Sequence, residues 1–391
     1  MTDRYPGFFE TLARTLKGGI CNKDTVVIYV LAVAFYLIFY AWPYGNQQIE
    51  HIPTAIVDLD NSAASRRLIQ ELDASPAIAL TAVFHTEKDG MTALRRESVP
   101  VILTIPENYE RNLIQTDNTT LHLVGNGIYP VKVRAVQAAV GALVQDKARL
   151  LDMAPVFATG LPGATVTESQ TATPSLAVQY RFNDIGGYAN YTVPAVSPVI
   201  LQAVMLMAIT MTLGGWLGTS RRPDFIQGAL AYPLRLGVAV FSAYWCMAYT
   251  WFVYIQGFDF WFFEYGSLVN APLTFAAGAL YCASVVSFGL MIAMLLGSNR
   301  WSTQTVVLMS APSVFLSGAI WPAEAISSVW IYGFSLLLPS TPGIRSILAA
   351  SQDNAMLSDV VLPLSVMLLQ TVIYLTIAGL LTRRRPNVTA S

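Results

Sequence analysis

The sequence predicts an α-helical membrane protein. Six transmembrane helices stand in a one-plus-five arrangement, with a re-entrant segment before the last and an α/β domain inserted after the first. Three observations predict it. Of the 391 residues, 54% are apolar and only 12% are charged, about half the charged fraction of a soluble protein. Charge-free runs recur along the second half of the chain, each long enough to cross a bilayer at about 20 residues. Between residues 45 and 190 the pattern changes to short apolar strands alternating with helices, which argues an α/β fold.

Several classes are set aside by composition. A net charge of −1 leaves no basic surface for nucleic acid. Cys21, Cys246 and Cys282 lie in or beside apolar segments, so no disulfide framework is expected. His51, His85 and His122 are not paired at helical spacing, and a zinc site is not expected. The first apolar run is long enough to stay in the membrane and lacks a small-x-small exit, so it does not read as a cleaved signal.

Residues 1–24 carry Arg4, Arg14, Lys17 and Lys23 around Phe8, Phe9, Leu12 and Leu16. The apolar positions fall at helical spacing, which predicts a cytoplasmic interfacial helix. Residues 25–44 are the first span, with Trp42 and Tyr44 at its far end. In the 45–190 insert, TAIVDLD, Ile78–Phe84, VPVILTI and TTLHLVG read as strands. Ser62–Leu72 and Thr86–Arg96 read as helices, with Asn61 or Ser62 capping the first. Pro106 opens a short helix through Ile114. After Pro130 a longer helix carries the stripe Val133, Val136, Val140, Leu143 and Leu150. Residues 154–174 read as a mobile loop, and Leu176–Phe182 as a returning strand.

The remainder, residues 191–382, is read as membrane. Val193–Gly218, Leu236–Gln256, Gly266–Gly297, Trp301–Ile320 and Val360–Leu381 are the second to sixth spans, and 383–391 is a cytoplasmic tail. Thr219–Arg235 is a basic loop, and Gly257–Tyr265 an acidic one. Between the fifth and sixth spans, Trp321-Pro322 breaks the run and Glu324 adds a charge. Ile326–Leu338 follows, about 13 residues and short of a crossing, closed by Pro339 and Pro342. Segment 321–342 therefore reads as re-entrant, or else as an amphipathic helix on the membrane surface. Charge favours the first. With six spans, the basic stretches 219–235, 298–300 and 383–385 all share the side of the N-terminus. The short loops of the opposite face hold Asp259, Glu264, Glu324, Asp353 and Asp359, with Arg345 their only base. That is the positive-inside pattern, and it places 45–190 outside the cytoplasm.

The expected span interiors contain no Asp, Glu, Lys, Arg or His. Ion-coupled carriers usually need such groups, so a proton-driven antiporter is disfavoured. No G-x-x-x-x-G-K-[ST] is present, so the chain has no P-loop for a nucleotide. Uphill transport then draws on another polypeptide below the membrane. In the 219–235 loop, Arg221, Arg222 and Asp224 flank Pro223 and are followed by Phe225. They form either a docking tip for that partner or a topology signal at the headgroups. In the insert, IVDLDNS places Asp58 and Asp60 after a buried strand. This is a turn with a helix cap, or a weak match to a phosphatase nucleophile pattern. Tyr188, Tyr191, Trp251, Trp261 and Trp330 either line an aromatic path or stand in interfacial belts.

Four stretches in this order carry a resemblance. They are IPTAIVDLDNSAASRRLIQEL, VPVILTIPENYERNL, NYTVPAVSPVILQAVMLM and FLSGAIWPAEAISSVWIYGFSLLLPSTPGIRSIL. Together the layout resembles the permease subunits of type-2 ABC exporters, in the subgroup with a large external domain between the first and second spans. The resemblance covers essentially the full chain. It implies an ABC ATPase dimer in the cytoplasm that binds ATP and Mg, a second permease subunit alike or different, and no cofactor in this chain. The external domain then shapes the exit or meets a periplasmic adaptor. It also implies a bacterial inner-membrane location with both termini cytoplasmic. Arg221, Arg222, Asp224 and Phe225 are the expected coupling loop. Trp321, Pro322 and Glu324 are the expected re-entrant gate, and no residue is catalytic. Many relatives carry an R-E-x-x-x-G-T pattern after the second span. Here Ser220-Arg221-Arg222-Pro223-Asp224-Phe225 stands instead, which points to pairing with a different permease. The rival expectations are a non-transporting receptor or secretion-associated protein of the same layout, and a membrane-anchored phosphatase using Asp58 and Asp60.

Overall fold

The computed structural model describes residues 5–21, 26–32, 49–96, 98–114, 120–126, 131–144, 188–219, 222–263, 265, 268–320, 326–353 and 355–383. The chain divides into two compact units, Asn46–Gln179 and the remainder. Helix α1 (Phe8–Cys21) opens the larger unit. A short helical stretch with wide π-turns, Val27–Ala32, follows it. The rest of the expected first span lies outside the described residues.

The smaller unit is an α/β sheet domain. Strands β1 (Ile52–Asp58), β2 (Ile78–Phe84), β3 (Val101–Ile105) and β4 (His122–Gly125) stand in the order β2-β1-β3-β4. β1 pairs parallel with β2 and β3, and β4 closes antiparallel on β3. Parallel neighbours require crossover connections. These are α2 (Ala63–Asp73) and α3 (Glu87–Arg95). Short α4 (Tyr109–Ile114) and α5 (131–144) complete the unit. Both inner strands are covered on both faces, which is why IPTAIVD and VILTI are almost wholly apolar. Ile52, Ile56, Leu68, Leu72, Val101 and Leu103 pack with Val136 and Val140 of α5 on one face. Ala55, Val57 and Ile102 pack with Ala93 and Leu94 of α3 on the other. Of the expected α5 stripe, Leu150 lies outside the described residues, as do the 154–174 loop and the 176–182 strand.

The larger unit continues with α6 (Tyr188–Gly218), α7 (Asp224–Ala231), α8 (Pro233–Phe262) and α9 (Ala271–Leu296). Then come α10 (Ser302–Leu316), α11 (Val329–Ser335), α12 (Ser340–Ser351) and α13 (Leu357–Arg383). Among the described residues, four helices are long and apolar enough to cross a bilayer: α6, α8, α9 and α13. α9 is the central post, packed against α6, α8, α12 and α13.

Four boundaries differ from the sequence expectation. The 219–235 stretch is not an open loop, because α7 occupies its middle and α8 begins at Pro233. α8 also runs past Gln256 through Phe262, so Asp259 sits on a helix and is buried rather than in an acidic loop. α10 holds 15 residues, about 22 Å of helix against a hydrocarbon core of about 30 Å. The chain bends after it, where Gly318 adopts a φ of 93°. Finally, Pro339 and Pro342 do not close an apolar half-span but open α12. A first-turn proline forfeits no helical hydrogen bond, since those N–H groups have no partner in the helix.

Candidate functional site

The turn between α11 and α12 is anchored by side chains of neighbouring helices. A chain that reverses direction exposes helix-end carbonyls and N–H groups. Three side chains from two long helices meet them here. Gln370 of α13 donates from Nε2 to the Leu336 carbonyl at 2.7 Å. Tyr374, one turn further, donates its hydroxyl to the Leu337 carbonyl. Gln202 of α6 accepts from the Ser340 N–H through Oε1 at 2.8 Å. The free ends of both amides are also used. Gln202 Nε2 donates to Ser313 Oγ of α10, and Gln370 Oε1 accepts from Ser284 Oγ of α9. Gln202, Ser284 and Gln370 stand at the midpoints of α6, α9 and α13. The turn is therefore level with the middle of three long apolar helices.

The hairpin also fits closely against the bundle. At Gly343 an added Cβ would lie 2.3 Å from the Tyr281 ring. The Tyr281 hydroxyl in turn donates to the Pro198 carbonyl of α6. α6 carries two internal prolines, and each removes a helical donor. The carbonyls left over are refilled from side chains. Gln352 Nε2 donates to Asn190 O, four residues before Pro194, and Ser197 Oγ donates to Pro194 O, four before Pro198.

The opposite end of α6 gathers α1, α7 and the Ser298–Arg300 turn. Helix α1 crosses Trp216 at Gly18 and meets Met247 at Gly19. Phe225 of α7 packs edge-to-face on the other side of Trp216, with ring centroids 5.2 Å apart. The Ser298–Arg300 turn lies against Gly214, where a Cβ would come within 2.9 Å of the Ser298 carbonyl. Tyr5 reaches α7 beside Gly228.

Helix α1 divides into three faces. Thr11, Thr15 and Gly19 are buried against the bundle. Phe9 and Ile20 remain exposed on the neighbouring face, and Glu10, Arg14 and Lys17 occupy the third. Buried small residues, an open apolar stripe and a charged stripe are the arrangement of a helix lying in a membrane surface against its own protein.

The expected coupling residues take specific places here. Phe225 is not an exposed tip, because it is buried between Trp216 and the α7 backbone. Arg222 Nε donates to the Leu217 carbonyl and so caps α6, where a cation also meets the negative end of the helix dipole. Asp224 starts α7, at the favourable positive end. Arg221 lies outside the described residues, as do Trp321, Pro322 and Glu324 of the expected gate.

A family model described as ABC-2 family transporter protein matches residues 23–380. The chain belongs to this family. No curated protein matches it. An ABC-2 permease is a multi-pass transport subunit, and membership implies an ABC ATPase as its partner.

In this ABC-2 permease the aspartates of the sheet unit serve structure. Asp58 Oδ1 accepts from the N–H groups of Asp60 and Asn61, and Oδ2 accepts from Ser65 Oγ at 2.8 Å. Ser62 and Ser65 complete a reciprocal cap on α2. Asp60 Oδ2 accepts from the Glu110 N–H at the start of α4. Both carboxylates are thus occupied in turn and cap geometry. Among the aromatic candidates, Trp330 is 89% exposed, the placement of a belt residue. Trp251 packs edge-to-face on Tyr29. The residues that sequence reasoning passed over are Gln202, Gln370 and Tyr374. The available signal is an amide in each of two charge-free spans, which an inventory of charged residues does not register.

Proposed function

We propose that this permease subunit works in an ATP-driven exporter. It moves a hydrophobic or amphipathic substrate outward from the cytoplasm or inner leaflet, using a separate ATPase dimer that binds ATP and Mg. Two permease subunits pair, and the Asn46–Gln179 unit lies outside the cytoplasm, where it shapes the exit or meets an adaptor. The α11–α12 hairpin re-enters from the outer side and forms the gate with Trp321, Pro322 and Glu324.

One observation carries this reading. Helix α6 joins the two candidate sites in a single element: Trp216 at the coupling end and Gln202 at the hairpin turn. They are separated by about 21 Å of continuous helix at 1.5 Å per residue. A push on α1, α7 and Arg222 moves α6, and α6 holds the turn through Gln202. The arginine-bearing end faces the cytoplasm by the positive-inside pattern.

The test is purification from native membranes with the associated ATPase, then reconstitution. Hydrolysis stimulated by this chain, and reduced in a Gln202→Leu variant that still assembles, is the expected result. An ATPase indifferent to the chain would leave the receptor reading in its place.

A further inference from the structure

At the end of the bundle that carries Asn190 and Asn270, a cavity of about 340 Å³ opens between α8 and α12. Its lining includes Gln256, Phe260, Trp261, Tyr265 and Ser351. Gln256 is 3% exposed and Ser351 4% exposed. Yet Gln256 Oε1 and Ser351 Oγ have no hydrogen-bond partner among the described residues. Folded proteins rarely leave buried polar atoms unmet, and each exception calls for a ligand or water. Asp259 lies one turn along α8 from Gln256. It is equally buried, and its Oδ2 is also unmatched among the described residues. Burial, and then the nearby Asp259 carboxylate, push the Tyr265 phenol up to about 12. Asp259 does not itself line the cavity but stands on α8 between the lining residues Gly257 and Phe260.

We propose that this cavity binds a primary ammonium group. An amide carbonyl and a carboxylate ask for donors and a hydroxyl can accept one, and an ammonium presents three N–H donors and no acceptor. Among the described residues no Lys, Arg or His lines the cavity, so the positive charge is assigned to the ligand. Phe260, Trp261 and Tyr265 supply aromatic faces, which attract organic cations. A bare divalent ion fits less well, since hard cations gather about six oxygens. The volume lies in the range of small-ligand sites, roughly 300–1,000 Å³, enough for an amine head on a short chain. The assignment stands apart from the exporter reading. Two sources share the chemistry, a soluble alkylamine and the headgroup of an ethanolamine lipid.

The experiment uses the full chain in nanodiscs of phosphatidylcholine, a lipid with no primary amine. Butylammonium is titrated calorimetrically against the neutral isostere butanol. Saturable binding of the amine and none of the alcohol is expected. Asp259→Asn and Ser351→Ala should each weaken it, the first by about tenfold, the loss of one hydrogen bond to a charged partner. Helicity and gel-filtration profiles check that both variants are folded. Repeating the titration with phosphatidylethanolamine in the disc separates the sources. Lost amine binding assigns the site to the lipid headgroup, and unchanged binding assigns it to the soluble amine. Equal binding of amine and alcohol, or no saturable amine binding in either disc, overturns the proposal and leaves the cavity to water.

Discussion

Gln370 shows how much one neutral side chain carries inside an apolar helix. Its amide closes the Leu336 carbonyl and receives the Ser284 hydroxyl. Replacing it with leucine strands both groups where water is scarce. The expected cost of Gln370→Leu is about 1–2 kcal/mol, tempered because alternative partners exist in membranes. It should be read as faster amide exchange across residues 329–351, with α9 unchanged. Equal exchange in the two proteins would remove the anchor from the account. Tyr109 offers a second check, in the sheet unit. Burial first, then the charges of Glu71 and Asp60, raise its phenol above the ordinary value of 10.0. The unfolded chain therefore loses this proton before the folded one. The contribution of Tyr109 to stability is whole below about pH 10 and disappears as pH climbs through the raised value. A Tyr109→Phe variant should show a flatter loss of sheet-unit stability above pH 10 than the parent, measured by chemical denaturation. None of these roles was legible in the string of letters. A glutamine in a charge-free run gives no sign of the carbonyl it will meet.

Helices and strands were far more legible, for a physical reason. Burial on both faces makes an inner strand apolar throughout, so β1 and β3 stood out. Asn61 or Ser62 marked the start of α2 because a cap is a local interaction, and the structure gives the cap to Ser62. Helix α7 was missed because it is only eight residues long and lies between Pro223 and Pro233. That spacing reads equally well as a loop. Its burial against Trp216 also changes what Phe225 does. The ring positions α7 rather than reaching outward, so Phe225→Ala should loosen α7 and weaken ATPase association while membrane insertion stays normal. Truncating a buried phenylalanine costs about 3–5 kcal/mol in a well-packed site. A co-purification assay with an insertion control measures it. Unchanged association would take α7 out of the coupling surface.

For the molecule as a whole, the claim is that force arrives from a partner. The chain has no P-loop, and Asp259 is the one carboxylate that the described structure buries within a long apolar helix. A single acid at one end of α8 makes no relay across a bilayer. Vesicles holding this polypeptide alone and given only an ion gradient should accumulate no cargo. Uphill accumulation under those conditions would sink the coupling model.

Composition, hydrophobic period and the placement of arginines were enough to settle by themselves that this is a helical membrane protein with an α/β insert. Each of those signals depends on a residue and its near neighbours or on a solvent-wide average. Tertiary structure alone decided that α11 and α12 form a hairpin tied to the middles of α6, α9 and α13, and that Gln202 of α6 meets that hairpin. Those facts rest on hydrogen bonds between residues separated by up to 138 positions in sequence, and no local pattern encodes which distant amide meets which carbonyl.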